Sequence, residues 1–146
     1  MKVMRRVIPA NKVRHDYEKI LSEFVSALKN RLGECLLMVY LTGSYARGDA
    51  NDNSDLDVFC IFSTINQYVL ETVGNCARNT SISYDLLEIN TQSLSVDEYK
   101  SKIFGEWSEY AVTELNSVLL YGEQLVEIEN INEKIQLSYK KNLANF

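Results

Sequence analysis

One stretch of the sequence constrains the fold more than any other, LTGSYARGDANDNSDLDVF, which runs from Leu41 to Phe59. It separates two apolar runs, and two aspartates one residue apart stand at the start of the second run. Side chains alternate across a strand, so Asp55 and Asp57 would lie on one face with their carboxylates close together. Such a pair is costly when bare, because like charges repel each other and resist desolvation. The pattern therefore indicates that something outside the chain compensates the two charges.

A divalent cation bound by both aspartates would offset the repulsion between their carboxylates. Mg²⁺ prefers carboxylate oxygens and leaves positions for water and phosphate oxygens, and two ions held by shared carboxylates can clamp an in-line displacement at phosphorus. Such a site usually needs a third carboxylate from a neighbouring element. Asp85 is the first choice, because an unpaired charge in the otherwise apolar run SISYDLLEI would be expensive, and it could also act as general base. Glu88 is the competing choice, ranked lower because it would lie on the opposite face of that predicted strand.

Gly43 and Ser44 supply the predicted binding site for a phosphate. Glycine lets the backbone approach an anion closely, the turn that follows points free N–H groups at it, and the Ser44 hydroxyl adds a donor. Arg47 could reach a phosphate or could instead pair with Asp49 or Asp52, and both alternatives stay open. The stretch is not a Walker loop, because it lacks the Gly-Lys-Ser/Thr ending.

Hydrophobic periodicity predicts strands that alternate with helices, which indicates a layered α/β-type domain. It does not say whether neighbouring strands are parallel. Helices are expected at 15–32, 65–78 and 96–116, with a short helical turn at 44–47 and a last amphipathic helix from about 130. Strands are expected at 34–42, 55–62, 81–90 and 117–122.

Length, composition and charge limit the classes of function that this chain can have. The chain of 146 residues fits a single domain, 1–146, with a helical extension over about 123–146. A net charge of −5 argues against a long nucleic-acid duplex as the main partner. No apolar run approaches the roughly 20 residues that span a bilayer and no secretory signal is recognisable, so we expect no membrane partner and a cytoplasmic protein. The three cysteines form no zinc-binding pattern.

The residues of the opening stretch resemble a known signature. The order Gly43-Ser44, ten residues, then Asp55-Leu56-Asp57 is similar to that of the polymerase-β-type nucleotidyltransferase superfamily. GSYARGDANDNSDLDVF most resembles its minimal, single-domain bacterial members, and the resemblance spans roughly residues 35–121. It implies an α+β fold, in which a mixed sheet of about four strands is flanked by helices. SVLLYG resembles the closing strand of that sheet.

The resemblance also implies substrates and residue roles. Gly43 and Ser44 would hold the triphosphate of an NTP, Asp55 and Asp57 would bind Mg²⁺, with two ions expected, and Asp85 would complete a catalytic and metal-binding triad. Arg47 is kept as a nucleotide-binding candidate. The implied reaction transfers a nucleoside monophosphate, with AMP from ATP favoured, to a hydroxyl and releases pyrophosphate.

The length of the chain bears on which acceptor the resemblance implies. Relatives that modify aminoglycosides or lincosamides usually carry an added helical domain, whereas this chain ends about 25 residues after LLYG. The resemblance to minimal members therefore implies a protein acceptor, a HEPN-type RNase toxin that this chain would adenylylate as its antitoxin. Two alternatives stay open: an antibiotic nucleotidyltransferase whose drug pocket a dimer would complete, and an antitoxin that acts by contact alone.

Overall fold

The computed structural model describes residues 16–103 and 116–125. Its helices are α1 (Tyr17–Leu32), α2 (Gly43–Arg47), α3 (Gln67–Ser83) and α4 (Val96–Ile103). Its strands are β1 (Leu36–Thr42), β2 (Leu56–Phe62), β3 (Ile89–Ser95) and β4 (Val118–Gly122). A short 3₁₀ turn, Gly33–Cys35, joins α1 to β1.

The four strands form one mixed sheet in the order β3-β2-β1-β4. β1 is antiparallel to both β2 and β4, whereas β3 is parallel to β2. The parallel pair follows from the connection, because α3 carries the chain back across the sheet before β3 begins. The predicted α+β fold, a mixed sheet of four strands flanked by helices, is confirmed.

The sheet has a core on each face. The larger core packs α1 and α3 against one face, and its helical residues follow the expected spacing, with Ile20, Leu21, Phe24 and Leu28 of α1 all buried. The smaller core packs α4 against the other face; it comprises Met38, Tyr40, Ile61, Leu94, Tyr99 and Ile103. β1 supplies residues to both cores and is buried along nearly its whole length, as its continuous apolar run predicts.

The predicted third strand, 81–90, is wrong. α3 continues to Ser83, because its buried stripe runs on to Thr80 and keeps the helix packed on the sheet. A turn follows, in which Asp85 and Leu86 have φ of 57° and 61°. The strand itself begins only at Ile89. The ten predicted residues are therefore divided between a helix end, a turn and the start of β3.

The other predicted elements agree closely with the structure where it describes them. α1, β1, β2 and β4 lie within two residues of their expected bounds, and α4 begins at Val96 as predicted. The part of the expected helix beyond Ile103, the last helix and the extension 123–146 lie mainly outside the described residues. No helix in the described ranges is long and apolar enough to cross a membrane.

Candidate functional site

The turn from β1 into α2 brings the glycine of the signature against its second aspartate. Thr42, the last residue of β1, pairs with Asp57 in the antiparallel register of β1 and β2. The Thr42 hydroxyl donates to the Asp57 carbonyl oxygen over 3.4 Å. Gly43 follows with φ of 72°, and a Cβ atom added to it would collide with Oδ2 of Asp57. Glycine is thus required here both for its backbone conformation and for the space that the carboxylate occupies.

The loop between α2 and β2 is held by its own polar groups. Gly48 ends α2 in the left-handed conformation, and its N–H donates to the carbonyl of Ser44. Asn51 accepts the N–H of Asn53 at its side-chain oxygen over 2.9 Å, and its own N–H donates to the hydroxyl of Ser54 over 2.9 Å. These are the side-chain turns for which asparagine and serine are favoured. These hydrogen bonds give the loop a defined conformation and so fix the position of Asp55 directly before β2.

Asp55 and Asp57 converge on one side chain of the neighbouring strand. Asn90 of β3 is the register partner of Asp57 in the parallel β2–β3 pair. Its amide nitrogen Nδ2 donates to Asp55 Oδ2 over 3.3 Å and to Asp57 Oδ1 over 3.4 Å. Within residues 16–103 and 116–125, the structure records no salt bridge from a lysine or arginine to either carboxylate. The site therefore has two adjacent carboxylates joined by a neutral amide.

This cluster lies on the face of the sheet that carries the smaller core. Residues alternate along β2, so Asp55 and Asp57 share a face with Phe59, whose ring stacks on Tyr40 at a centroid distance of 5.1 Å. Both aspartates are half-buried and Asn90 is exposed, so a solute can reach the carboxylates. A groove of about 340 Å³ between α1 and β4 is lined by Leu41, which belongs to the larger core, and therefore opens on the other face.

The structure does not bring the predicted triad together. Asp85 lies in the turn after α3, four residues before β3 begins, and is exposed. Glu88 immediately precedes β3, and its carbonyl oxygen accepts the N–H of Leu56 over 2.9 Å. In the part of the chain that the structure describes, no three His, Cys, Asp or Glu side chains form a group that could hold a metal. The predicted strand with a central acid is absent, and the residue that contacts both aspartates is Asn90.

Arg47 and Ser44 occupy the places that the sequence predicts, one turn apart on α2. Arg47 Nε donates to Asp49 Oδ2 over 3.3 Å, in an ion pair whose side chains are 51% and 63% exposed. This is one of the two alternatives that the sequence left open, and such an exposed pair contributes little stability. Ser44 is half-buried in the first turn of α2, directly after Gly43.

The donor set fits Mg²⁺. Both aspartates offer hard carboxylate oxygens, and those oxygens already approach one common point, the Asn90 amide. Mg²⁺ is commonly bound in proteins through one or two carboxylates, with water and substrate phosphates as its remaining ligands. Asp55 and Asp57 would therefore hold the ion, and the Asn90 amide nitrogen is the neutral donor that contacts both carboxylates without it.

Sequence reasoning missed Asn90, although one local signal points to it. Ser95 and Glu98 form a capping box, in which the Glu98 N–H donates to the Ser95 hydroxyl and the Ser95 N–H donates to the Glu98 carboxylate. Such a box fixes the start of α4 and hence the end of the preceding strand. A typical strand length counted back from Ser95 predicts a strand that begins near Asn90, whereas the apolar pattern predicts one that ends there.

Comparison with known proteins adds a family and several relatives. The sequence model of a family described as the nucleotidyltransferase domain matches residues 21–140. A protein of Methanocaldococcus jannaschii, named as a candidate protein adenylyltransferase, is 39% identical over 54 residues, which are 37% of this chain. That match spans only 54% of the relative's own length.

Two solved structures illustrate the likeness in three dimensions. A candidate nucleotidyltransferase from Sulfolobus solfataricus has a TM-score of 0.49 and 22% identity, over 75% of this chain and 86% of its own. A complex of a tri-AMPylated HEPN toxin with an MNT antitoxin from Shewanella oneidensis contains a chain with a TM-score of 0.46 and 14% identity. That match covers 88% of this chain and 91% of the other.

Proposed function

This chain belongs to the nucleotidyltransferase domain family, and we propose that it transfers AMP from ATP to a hydroxyl group of a partner protein. The hydroxyl oxygen forms a bond to the α-phosphorus of ATP while the bond from that phosphorus to the oxygen bridging to the β-phosphorus breaks. Pyrophosphate leaves and the hydroxyl proton passes to solvent. The observation that carries this proposal is the convergence of Asp55 and Asp57 beside Gly43.

Each part of the signature has a role in this reaction. The backbone of Gly43 and Ser44 stands at the start of α2, where N–H groups lack intrahelical partners and can bind phosphate oxygens. Asp55 and Asp57 would hold Mg²⁺, which when bound offsets the charge that develops on the phosphate oxygens. Arg47 would release its exposed ion pair with Asp49 and bind a phosphate oxygen instead.

The mechanism does not need a dedicated base. Phosphoryl transfer is catalysed mainly by positioning and electrostatic stabilisation, because its transition state requires little covalent chemistry from the protein. Asn90 has no basic group, and Asp85 lies in the turn that precedes β3. We therefore assign the main catalytic contribution to Asp55 and Asp57, and leave Asp85 outside the proposed step.

A protein is the acceptor that we favour. The relative from Methanocaldococcus jannaschii is named for adenylyl transfer to protein, and the sequence between Gly43 and Val58 resembles the minimal members of the superfamily. On that resemblance, we propose a HEPN-type toxin as the partner and an antitoxin role for this chain. ATP would be the substrate and Mg²⁺ the metal cofactor.

A labelling experiment tests the proposal. The protein is incubated with Mg²⁺, a HEPN-type toxin as acceptor, and ATP labelled at either the α- or the γ-phosphate. In parallel reactions, kanamycin or lincomycin replaces the toxin. The proposal predicts that the partner acquires α-label and no γ-label, and that D57N abolishes labelling. D52N is the matched control, because it removes one carboxylate from the same loop without touching the Asp55–Asp57 pair.

Three results would contradict the proposal. γ-label on the partner would indicate a kinase. Labelling of an aminoglycoside or lincosamide, with none on protein, would indicate an antibiotic-modifying enzyme. Neutralisation of the partner that survives D57N, with no label transferred, would indicate an antitoxin that acts by contact alone.

A further inference from the structure

Asn90 stands where a two-metal site would be expected to place a third acid. It is the β3 residue opposite Asp57, on the same sheet face, and its amide contacts both aspartates. A carboxylate there would bring three negative charges together, whereas the amide brings none. The site as built therefore carries two formal negative charges instead of three.

We infer that Asn90 is a positioning residue that holds Asp55 and Asp57 together, and that this chain takes up its divalent cation together with the nucleotide. The inference rests on the proposed function, because it concerns the metal and nucleotide of that reaction. Two carboxylates alone offer few of the six ligands that Mg²⁺ requires. The phosphates of the bound nucleotide would supply the missing oxygens and negative charge.

The hydrogen bonds of Asn90 also lower the affinity of the site for a cation in the absence of nucleotide. In the absence of a cation, the Nδ2 donor occupies lone pairs on Asp55 Oδ2 and Asp57 Oδ1. It thereby relieves part of the repulsion between the two carboxylates. A cation that approaches without nucleotide must displace these hydrogen bonds and gains only two charged ligands in return. The amide thus stabilises the metal-free site and weakens its affinity for a cation alone.

The substitution N90D tests this inference through metal binding. Binding of Mn²⁺ to the full chain is measured by electron paramagnetic resonance, with and without the ATP analogue AMP-PNP. We expect N90D to bind Mn²⁺ about tenfold more tightly than wild type without nucleotide, since cation affinity follows the number of charged ligands. Wild type should reach a comparable affinity only when AMP-PNP is present.

N75D is the matched control. Asn75 lies on the exposed side of α3, where its Oδ1 accepts from Arg78 Nη1 over 2.9 Å, and an aspartate keeps that acceptor. N75D adds the same charge away from β2 and β3, so its affinity for Mn²⁺ should match that of wild type. Equal nucleotide-free affinity in wild type and N90D would overturn the inference. So would wild-type binding of Mn²⁺ that is as tight without AMP-PNP as with it.

Thermal unfolding gives a second readout, which applies even where N90D folds poorly. Three apposed carboxylates should lower the melting temperature of N90D in EDTA, and Mg²⁺ should raise it by more than in wild type or N75D. An equal gain in N90D and N75D would contradict the inference. Failure of AMP transfer in wild type, together with a shifted Mn²⁺ affinity in N90D, would refute the proposed function and leave the role of Asn90 standing.

Discussion

The Oδ2 atom of Asp57 lies too close to Gly43 for a Cβ atom to fit there without displacing the carboxylate. This contact ties the turn at the end of β1, which we propose binds phosphate, to the carboxylates at the start of β2. It is set by the register in which Thr42 pairs with Asp57. The spacing between the glycine and the second aspartate is therefore a structural requirement of the site as well as a sequence pattern.

G43A is predicted to abolish AMP transfer. The new methyl group must displace the Asp57 carboxylate, and alanine at φ of 72° adds about 1–2 kcal/mol of backbone strain. G48A is the matched control, because Gly48 has φ of 83° but nothing within 4 Å of an added Cβ. Activity and urea denaturation are measured for both variants.

G48A should lose about the same 1–2 kcal/mol of unfolding free energy yet keep most of its activity. G43A should lose more stability and all of its transferase activity. If the two variants keep similar activity, the contact between Gly43 and Asp57 has no part in catalysis.

D55N and D57N are predicted to unfold in EDTA at the same temperature as wild type or higher. Each substitution removes one of two like charges that only a neutral amide bridges in the described residues. Added Mg²⁺ and AMP-PNP should raise the melting temperature of wild type and of D52N, because ligands that bind only the folded state stabilise it. An equal rise in D57N would show that the ligands bind elsewhere.

S95A is predicted to cost about 1 kcal/mol of stability, because it removes the side-chain acceptor for the Glu98 N–H in the capping box. The box fixes the junction of β3 and α4 and so helps to hold the register of Asn90. Chemical denaturation measures the loss, and S95T should restore it by supplying an equivalent hydroxyl. A loss in S95T equal to that in S95A would contradict the capping role.

Stability is predicted to fall above pH 9, and Cys60 should be one cause. Burial, with a smaller effect from Cys76, raises the pKa of the Cys60 thiol from 9.0 to about 12. The unfolded thiol ionises first, so its contribution to stability is fully present below pH 9 and is lost progressively as the pH rises towards 12.

Between pH 8 and pH 10 this loss amounts to about 1.4 kcal/mol, which urea denaturation can resolve. C60A lacks the thiol and should lose that much less over the same range, although its stability at pH 8 is lower because it leaves a small cavity in the core. A pH dependence in C60A as steep as that of wild type would rule out Cys60 as the cause.

The sequence predicts the bounds of the strongly apolar elements and misplaces β3, whose residues are mostly polar. β4 has no buried residue, but its run VLLY is apolar and still predicts the strand. β1 and β2 are interior strands with strong apolar runs, and α1 has a regular buried stripe. β3 lies at the edge of the sheet, and its sequence INTQSLS has only two buried residues, Ile89 and Leu94. Its hydrophobic signal is therefore weak, and the pattern predicts the strand over the more apolar run SISYDLLEIN, which overlaps only the first two residues of β3.

The predicted part of the site lies in one local stretch of sequence, and the missed part depends on a long-range strand pairing. Gly43, Ser44, Asp55 and Asp57 follow from one continuous stretch whose spacing is set by a short local connection. Asn90 depends on the parallel register of β3 against β2, which is a pairing across 33 residues of chain. Local periodicity carries no information about that register, and the apolar sequence around Asp85 favours that residue as the third acid instead.

Calorimetric titration of the protein with AMP-PNP, in Mg²⁺ and in EDTA, tests most directly whether the aspartate pair couples a cation to a nucleotide. We predict saturable binding in Mg²⁺ that is lost in EDTA and in both D55N and D57N, and that persists in D52N. Binding of equal strength in EDTA, or in D57N with Mg²⁺, would contradict the account.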